Sequence, residues 1–223
     1  MKKTVNKLDK KSRNLLKPKA HDLFDQTASK SQLQQIKIIE AAISSFASKG
    51  IDGTTYSSLA LDCGISRPLI NHYFATLEDL FLLTAKYVRQ TLLNLALEEM
   101  QKTSSDPRSQ LEGYLSGCVR WIQDYPAQFS FWLLYFYQAS LKGVARIENS
   151  NLVAAGQERL ELLLKDGHTQ GAWVAENPKE MAKLIQILIT GTLVCTMTEE
   201  GYMSVQRAKP LLKKAIFDLL PKP

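Results

Sequence analysis

The chain has 223 residues, 45% of them hydrophobic and 22% charged, with 28 Lys+Arg against 22 Asp+Glu for a formal net charge of +6. That length can bury a real core in one sizeable domain or two small ones, and the composition excludes a wholly disordered or collagen-like chain. Three cysteines, Cys63, Cys118 and Cys195, are too few and odd in number for a disulfide scaffold, and point to a reducing compartment.

Residues 1–30 carry nine basic side chains and three acidic ones, so the remaining 193 residues are neutral with 19 of each sign. This first stretch has no sustained periodicity and reads as a basic, flexible tail. Met1-Lys2-Lys3 leads into polar residues rather than the apolar run of a secretory signal. The longest uncharged apolar run, Leu184–Thr198, is broken by Gln186, Thr190, Gly191, Thr192 and Thr196. It falls short of the roughly 20 apolar residues that a bilayer span needs. The expectation is a soluble, cytoplasmic protein with no membrane partner.

Beyond the tail the helical period dominates. Leu33, Ile36, Ile39, Ile43 and Phe46 form one apolar stripe that ends at Gly50. Gly50-Ile51-Asp52-Gly53 reads as a turn, and Thr54-Thr55 offers an N-cap for a short helix through Leu59 and Ala60. Cys63-Gly64 ends that helix, and Ser66 is expected to cap another running to about Phe74. Longer helices are predicted at roughly 78–102, 108–124, 127–141, 150–166, 178–199 and 204–220, punctuated by Pro107, Pro126, Pro178, Pro221, Gly167 and Gly171. No run alternates with period two for long enough to make a sheet. The predicted fold class is all-α.

The stretch from Gly50 to Leu80 carries the chemistry. Two short helices separated by Cys63-Gly64-Ile65-Ser66 make a helix-turn-helix pattern. Leu59, Ala60, Ile65, Ile70 and Phe74 can hold the helices together, which leaves Ser66, Arg67, Asn71 and His72 on other faces. A recognition helix presents its N-terminal residues to base edges while its flanks meet phosphates.

At this point the sequence resembles a known family. Phe46-Ala47-Ser48-Lys49-Gly50, Gly53-Thr54-Thr55, Leu59-Ala60, Gly64-Ile65-Ser66, His72-Tyr73-Phe74 and Leu77-Glu78-Asp79-Leu80 are similar, in order and spacing, to the DNA-binding region of the tetracycline-repressor (TetR) family of bacterial regulators. The resemblance implies a helix-turn-helix DNA-binding domain over 31–77, followed by a helical ligand-binding and dimerisation domain over 78–223. It places Thr54 or Thr55 at a phosphate and sets Ser66 and Arg67 at the opening of the recognition helix, where arginine can take guanine O6/N7 bidentately. Pro68 and Leu69 stand where the family commonly has Gly-Thr and would touch thymine methyls; proline is tolerated in the first helical turn. His72 and Tyr73 resemble the family's backbone-contacting aromatic pair. Asn71 replaces a phosphate-binding tyrosine and could still donate to phosphate or read adenine; Leu77 replaces a lysine that often pairs with the backbone, so one counterion-releasing contact is absent there.

The tail, just before these helices, would add phosphate contacts or reach a minor groove. Ordinary core packing accounts for Phe74, whereas for Tyr73 it stands level with a contact to the DNA backbone. No two of the histidines His21, His72 and His168 have metal-ligand spacing. No nucleophile elbow, phosphate loop or paired-carboxylate motif stands out. No enzyme activity, metal or cofactor is expected.

In the second half, Trp121, Tyr125, Phe129, Phe131, Trp132, Tyr135, Phe136 and Tyr137 place eight of nineteen aromatics within seventeen residues. Aromatics on adjacent faces of one helix cannot all meet one neighbour, so Trp121, Tyr125, Trp132, Tyr135 and Phe136 are candidates to line a pocket for a small, mainly apolar effector. The last two predicted helices resemble the family's dimerisation pair. Leu184, Leu188, Gly191 and Cys195 form one row, and Leu212, Ile216 and Leu219 another, for a homodimer interface. The function expected is a homodimeric, effector-released repressor on a palindromic double-stranded DNA operator. The rival is a helical enzyme or carrier in which the helix-turn-helix is scaffold.

Overall fold

A computed structural model describes residues 29–141, 143–198 and 203–222. The basic tail, apart from its last two residues, lies outside them. The described residues are helical with no strand: α1 Lys30–Lys49, α2 Tyr56–Cys63, α3 Arg67–Tyr73, α4 Leu77–Gln101, α5 Pro107–Asp124, α6 Pro126–Ser140, α7 Val144–Thr169, α8 Pro178–Thr198 and α9 Val205–Asp218. Three of the punctuating prolines, Pro107, Pro126 and Pro178, are the first residues of α5, α6 and α8. At that position the missing N–H has no intrahelical partner to lose.

The chain divides into two compact units. Among the described residues, one takes in everything up to Leu93 together with Trp121–Leu152, and the other takes in Asn94–Arg120 and everything from Val153. In the first unit α1 turns Ile38, Ile39, Ala42, Ile43 and Phe46 inward. Phe46 meets Phe81 of α4 edge-on at 5.2 Å and Phe131 of α6 at 5.8 Å, and Phe81 in turn meets Phe131 and Tyr135. This ring cluster ties the helix-turn-helix to α4 and α6. Tyr87 of α4 also donates to Glu40 Oε1 of α1 at 3.1 Å.

In the second unit α8 packs on α9. Ala182, Ile185, Ile189 and Leu193 are buried on α8, and Ala208, Leu212 and Ile216 on α9. Composition and length alone would let Pro178–Thr198 cross a membrane, but this inward row shows it folded against its neighbours.

Two helix boundaries differ from the sequence pattern. The helix predicted at 150–166 begins at Val144, since Gly143, at φ 133°, breaks the chain just before it. Arg146 in its first turn reaches back to the carbonyls of Ala139 and Ser140. The same helix continues through Gly167, which is a packing position rather than a stop. A Cβ there would lie 2.0 Å from the Trp173 indole, whose Nε1 donates to the Leu164 carbonyl at 3.0 Å.

Candidate nucleic-acid interface

The turn between α2 and α3 depends on Gly64, at φ 63° and ψ 38°, a left-handed conformation that disfavours a side chain. Its N–H meets the α2 carbonyls, and Ile65 N–H donates to Ala60 at 3.0 Å. Helix α3 then buries one residue, Ile70. Ser66, Arg67, Pro68, Asn71 and His72 are exposed, while Leu69 and Tyr73 are half-buried. A helix with one inward anchor and donors around the rest can be presented to a partner without dismantling its core.

Ser66 stands at the N-cap position but its side chain makes no capping bond. This corrects the expectation that it caps α3, and it leaves the exposed hydroxyl uncommitted to that role. His72 and Tyr73 rings meet edge-on at 5.3 Å.

Thr54 and Thr55 separate cleanly. Thr54 is 2% exposed. Its hydroxyl donates to the Gly50 carbonyl at 2.8 Å and lies 3.0 Å from Ser45 Oγ, which must then be the donor of that pair. The structure therefore removes Thr54 from the candidate phosphate contacts: it fastens the turn to α1. Thr55 is exposed and forms a reciprocal capping box with Ser58 at the start of α2.

Residues 31–77 carry Lys37, Lys49 and Arg67 against Glu40, Asp52 and Asp62. The helices therefore contribute shape and donors but no net positive field.

Comparison with known proteins matches this geometry. The profile of "Bacterial regulatory proteins, tetR family" fits residues 38–84, which run from the buried half of α1 through α3 into α4. Over that segment the chain is similar to the TetR family. The regulator BetI of Burkholderia cenocepacia is 25% identical over 108 residues, 48% of this chain and 56% of that one. BetI of Paraburkholderia xenovorans is 23% identical over 111 residues, 50% of this chain and 57% of that one. This chain thus spans little more than half the length of the curated relatives it matches.

Among solved structures, a TetR transcription regulator from Haloarcula marismortui superposes with a TM-score of 0.74 at 16% identity, covering 84% of this chain and 98% of that one. A regulator from Saccharomonospora viridis in complex with choline gives 0.72 at 19% identity, covering 85% and 98%. These likenesses are of fold, and they extend well beyond the helix-turn-helix.

Helix α6 turns aromatics in two directions. Phe131 and Tyr135 join the Phe46–Phe81 cluster, whereas Phe129, Trp132 and Phe136 gather with Trp121 of α5, with ring centroids 4.1–6.0 Å apart. Two candidate lining residues are corrected by this packing. Trp121 is fully buried with its Nε1 donating to Gln128 at 2.9 Å, and Tyr135 is buried with its hydroxyl directed to the Ala145 carbonyl at 3.4 Å. Burial pushes the Tyr135 phenol up to about 12. Trp132 and Phe136 are half-buried and Tyr125 is exposed. A separate cleft of about 270 Å³ is lined by Leu97, Met100, Gln101, Thr103, Ser105 and Gln110, none of them in the aromatic group.

The candidate dimer residues also split. Leu184 and Gly191 on α8 and Leu219 after α9 are exposed, with Leu188 and Cys195 half-buried. Among the described residues, its chain neighbours and its own helix backbone apart, nothing lies within 4 Å of where a Gly191 Cβ would stand. Leu212 and Ile216, by contrast, are buried in the chain's own interior and are corrected out of the outward row. Ile187, 65% exposed, and Leu211, 52% exposed, belong to the outward face instead. The sequence row ran 184–188–191–195, whereas the most exposed apolar line on α8 runs 184–187–191. On a helix apolar around its circumference, both spacings fit the helical period.

The thiols of Cys63 and Cys118 are not activated. Burial holds Cys118 up at about 12 and also raises Cys63. Among the described residues no group of three or more His, Cys, Asp or Glu side chains could hold a metal ion.

Proposed function

We propose that this protein is a DNA-binding transcriptional regulator, a repressor acting as a homodimer on a palindromic operator and released by a small, mainly apolar effector. The observation that carries the reading is α3: exposed Ser66, Arg67, Pro68, Asn71 and His72 around one buried anchor, inside a segment that fits the TetR profile. Arg67 reads guanine, Pro68 and Leu69 meet thymine methyls, and Thr55, Asn71, His72 and Tyr73 meet the backbone. Residues 31–77 act as the DNA-binding segment and 78–223 as the regulatory part. The basic residues of 1–30 add phosphate contacts that the neutral helices lack.

One short helix reads too few bases for an operator, so two copies act together, their half-sites about one helical turn apart or a multiple of it. The outward face of Leu184, Ile187, Gly191, Leu211 and Leu219 supports pairing through α8 and α9. The effector acts by differential affinity: it favours the state whose recognition helices are wrongly spaced. Trp132, Phe136 and Tyr125 supply the ring surface for it. The choline found in the Saccharomonospora viridis relative makes quaternary ammonium compounds the first to assay, since aromatic faces attract such cations.

Selection of bound duplexes from random DNA tests the reading: a two-fold symmetric consensus is expected. No enrichment over the input pool would overturn it and leave the helical carrier.

A further inference from the structure

Helix α3 has seven residues, about 10 Å of helix, and one so short does not hold itself straight in water. Its direction is set by what fastens its two ends. At the first end, Gly64 and the Ile65 N–H to Ala60 carbonyl bond join it to α2. At the other, Phe74 leaves the helix in an extended conformation, φ −135° and ψ 111°, with its ring buried. The Tyr56 hydroxyl reaches this point and donates to the Phe74 carbonyl at 3.0 Å, across 18 residues of sequence.

Tyr56 is the first residue of α2, adjoining the Thr55 cap. Burial, and then the Asp79 carboxylate, raise its phenol above the ordinary range, so it stays a donor at all working pH. Asp79 itself accepts from Thr76 N–H and Thr76 Oγ1 where α4 begins. One hydroxyl thus links the start of α2 to the end of α3, beside the start of α4.

We propose that Tyr56 is a positioning residue for DNA reading: bonded to the Phe74 carbonyl, it fixes the angle at which α3 leaves α2 and so where Arg67, Asn71 and His72 meet the duplex. The inference rests on the DNA-binding function proposed above, and adds a side chain that acts through α3 rather than by touching bases. A tilt of roughly 10° about the Gly64 end moves the far end of α3 by roughly 2 Å. That exceeds the tolerance of a hydrogen bond by several-fold.

The test uses the full chain with Tyr56→Phe, which removes only the hydroxyl. Tyr87→Phe serves as a control that removes a comparable bond, to Glu40 of α1, away from α3. Amide hydrogen exchange in the free protein and the ratio of affinities for the selected duplex and a scrambled one are both measured. Tyr56→Phe should speed exchange at Tyr73 and Phe74 by about three- to tenfold and lower the affinity ratio about tenfold, while Tyr87→Phe leaves both near wild type. Unchanged exchange in α3, an unchanged ratio, or an equal fall in the control would each overturn the proposal. A wild-type protein with no preferred sequence would sink the DNA-binding reading itself, and the positioning role with it; exchange in the free protein still reports separately whether Tyr56 holds α3.

Discussion

The protein exposes two helical surfaces of opposite chemistry. On α3 the outward residues are a hydroxyl, a guanidinium, an amide and an imidazole beside one proline, over a single buried isoleucine. On α8 they include Leu184, Ile187 and Gly191, over a complete inward row, while α9 adds Leu211 among charged neighbours such as Arg207, Lys209 and Lys214. Donors with fixed geometry suit a partner that offers acceptors, such as base edges and phosphates. A smooth apolar face has no directional demand and suits a copy of itself. Exposure says where a partner can sit, and the chemistry of what is exposed says which kind.

The largest effect should come from charging the apolar face. Ile187→Glu would bury an unpaired carboxylate in the proposed dimer interface, so self-association measured by sedimentation should weaken by about a hundredfold or more. Unchanged association would remove α8 from the pairing surface. On the polar face, Arg67→Ala should lower affinity for the selected duplex by about 10- to 100-fold, the equivalent of about 1–3 kcal/mol, with self-association as in wild type. Equal binding to all duplexes before and after the change would end the guanine assignment.

An interior substitution that touches neither face sharpens the contrast. Gly167→Ala places a methyl group against the Trp173 indole and should cost about 1–3 kcal/mol by overpacking, read as a lower Tm. Smallest is Thr55→Ala, which removes a cap worth about 1 kcal/mol and lowers Tm by about 2–4 °C. Its effect on DNA affinity, compared with that of Thr54→Val, tests whether the exposed threonine alone meets phosphate.

The helix-turn-helix was legible because its boundaries are written locally. Gly50 and Gly64 end α1 and α2, Thr55 caps α2, and each falls where the pattern placed it. The all-helical second half was legible for the same reason, with three prolines opening helices. What the sequence hid were choices made by tertiary packing. Thr54 and Thr55 look alike until Ser45 claims one of them. Gly167 reads as a stop until Trp173 fills the space above it. The outward line of α8 was ambiguous because apolar residues surround that helix, and only contact with α9 picks the inward row. Tyr56 carried no local signal at all, since its partner is a backbone carbonyl 18 residues on.

The seven-residue length of α3 has a genetic consequence. A helix too short to exist alone is cast by its mould, and here Leu59 of α2 and Phe74 beyond the helix are buried with its own anchor, Ile70. Alleles that silence the protein should therefore fall in two groups of comparable size. One alters the letters that do the reading, and the other leaves every letter intact and spoils the type block that holds them in line.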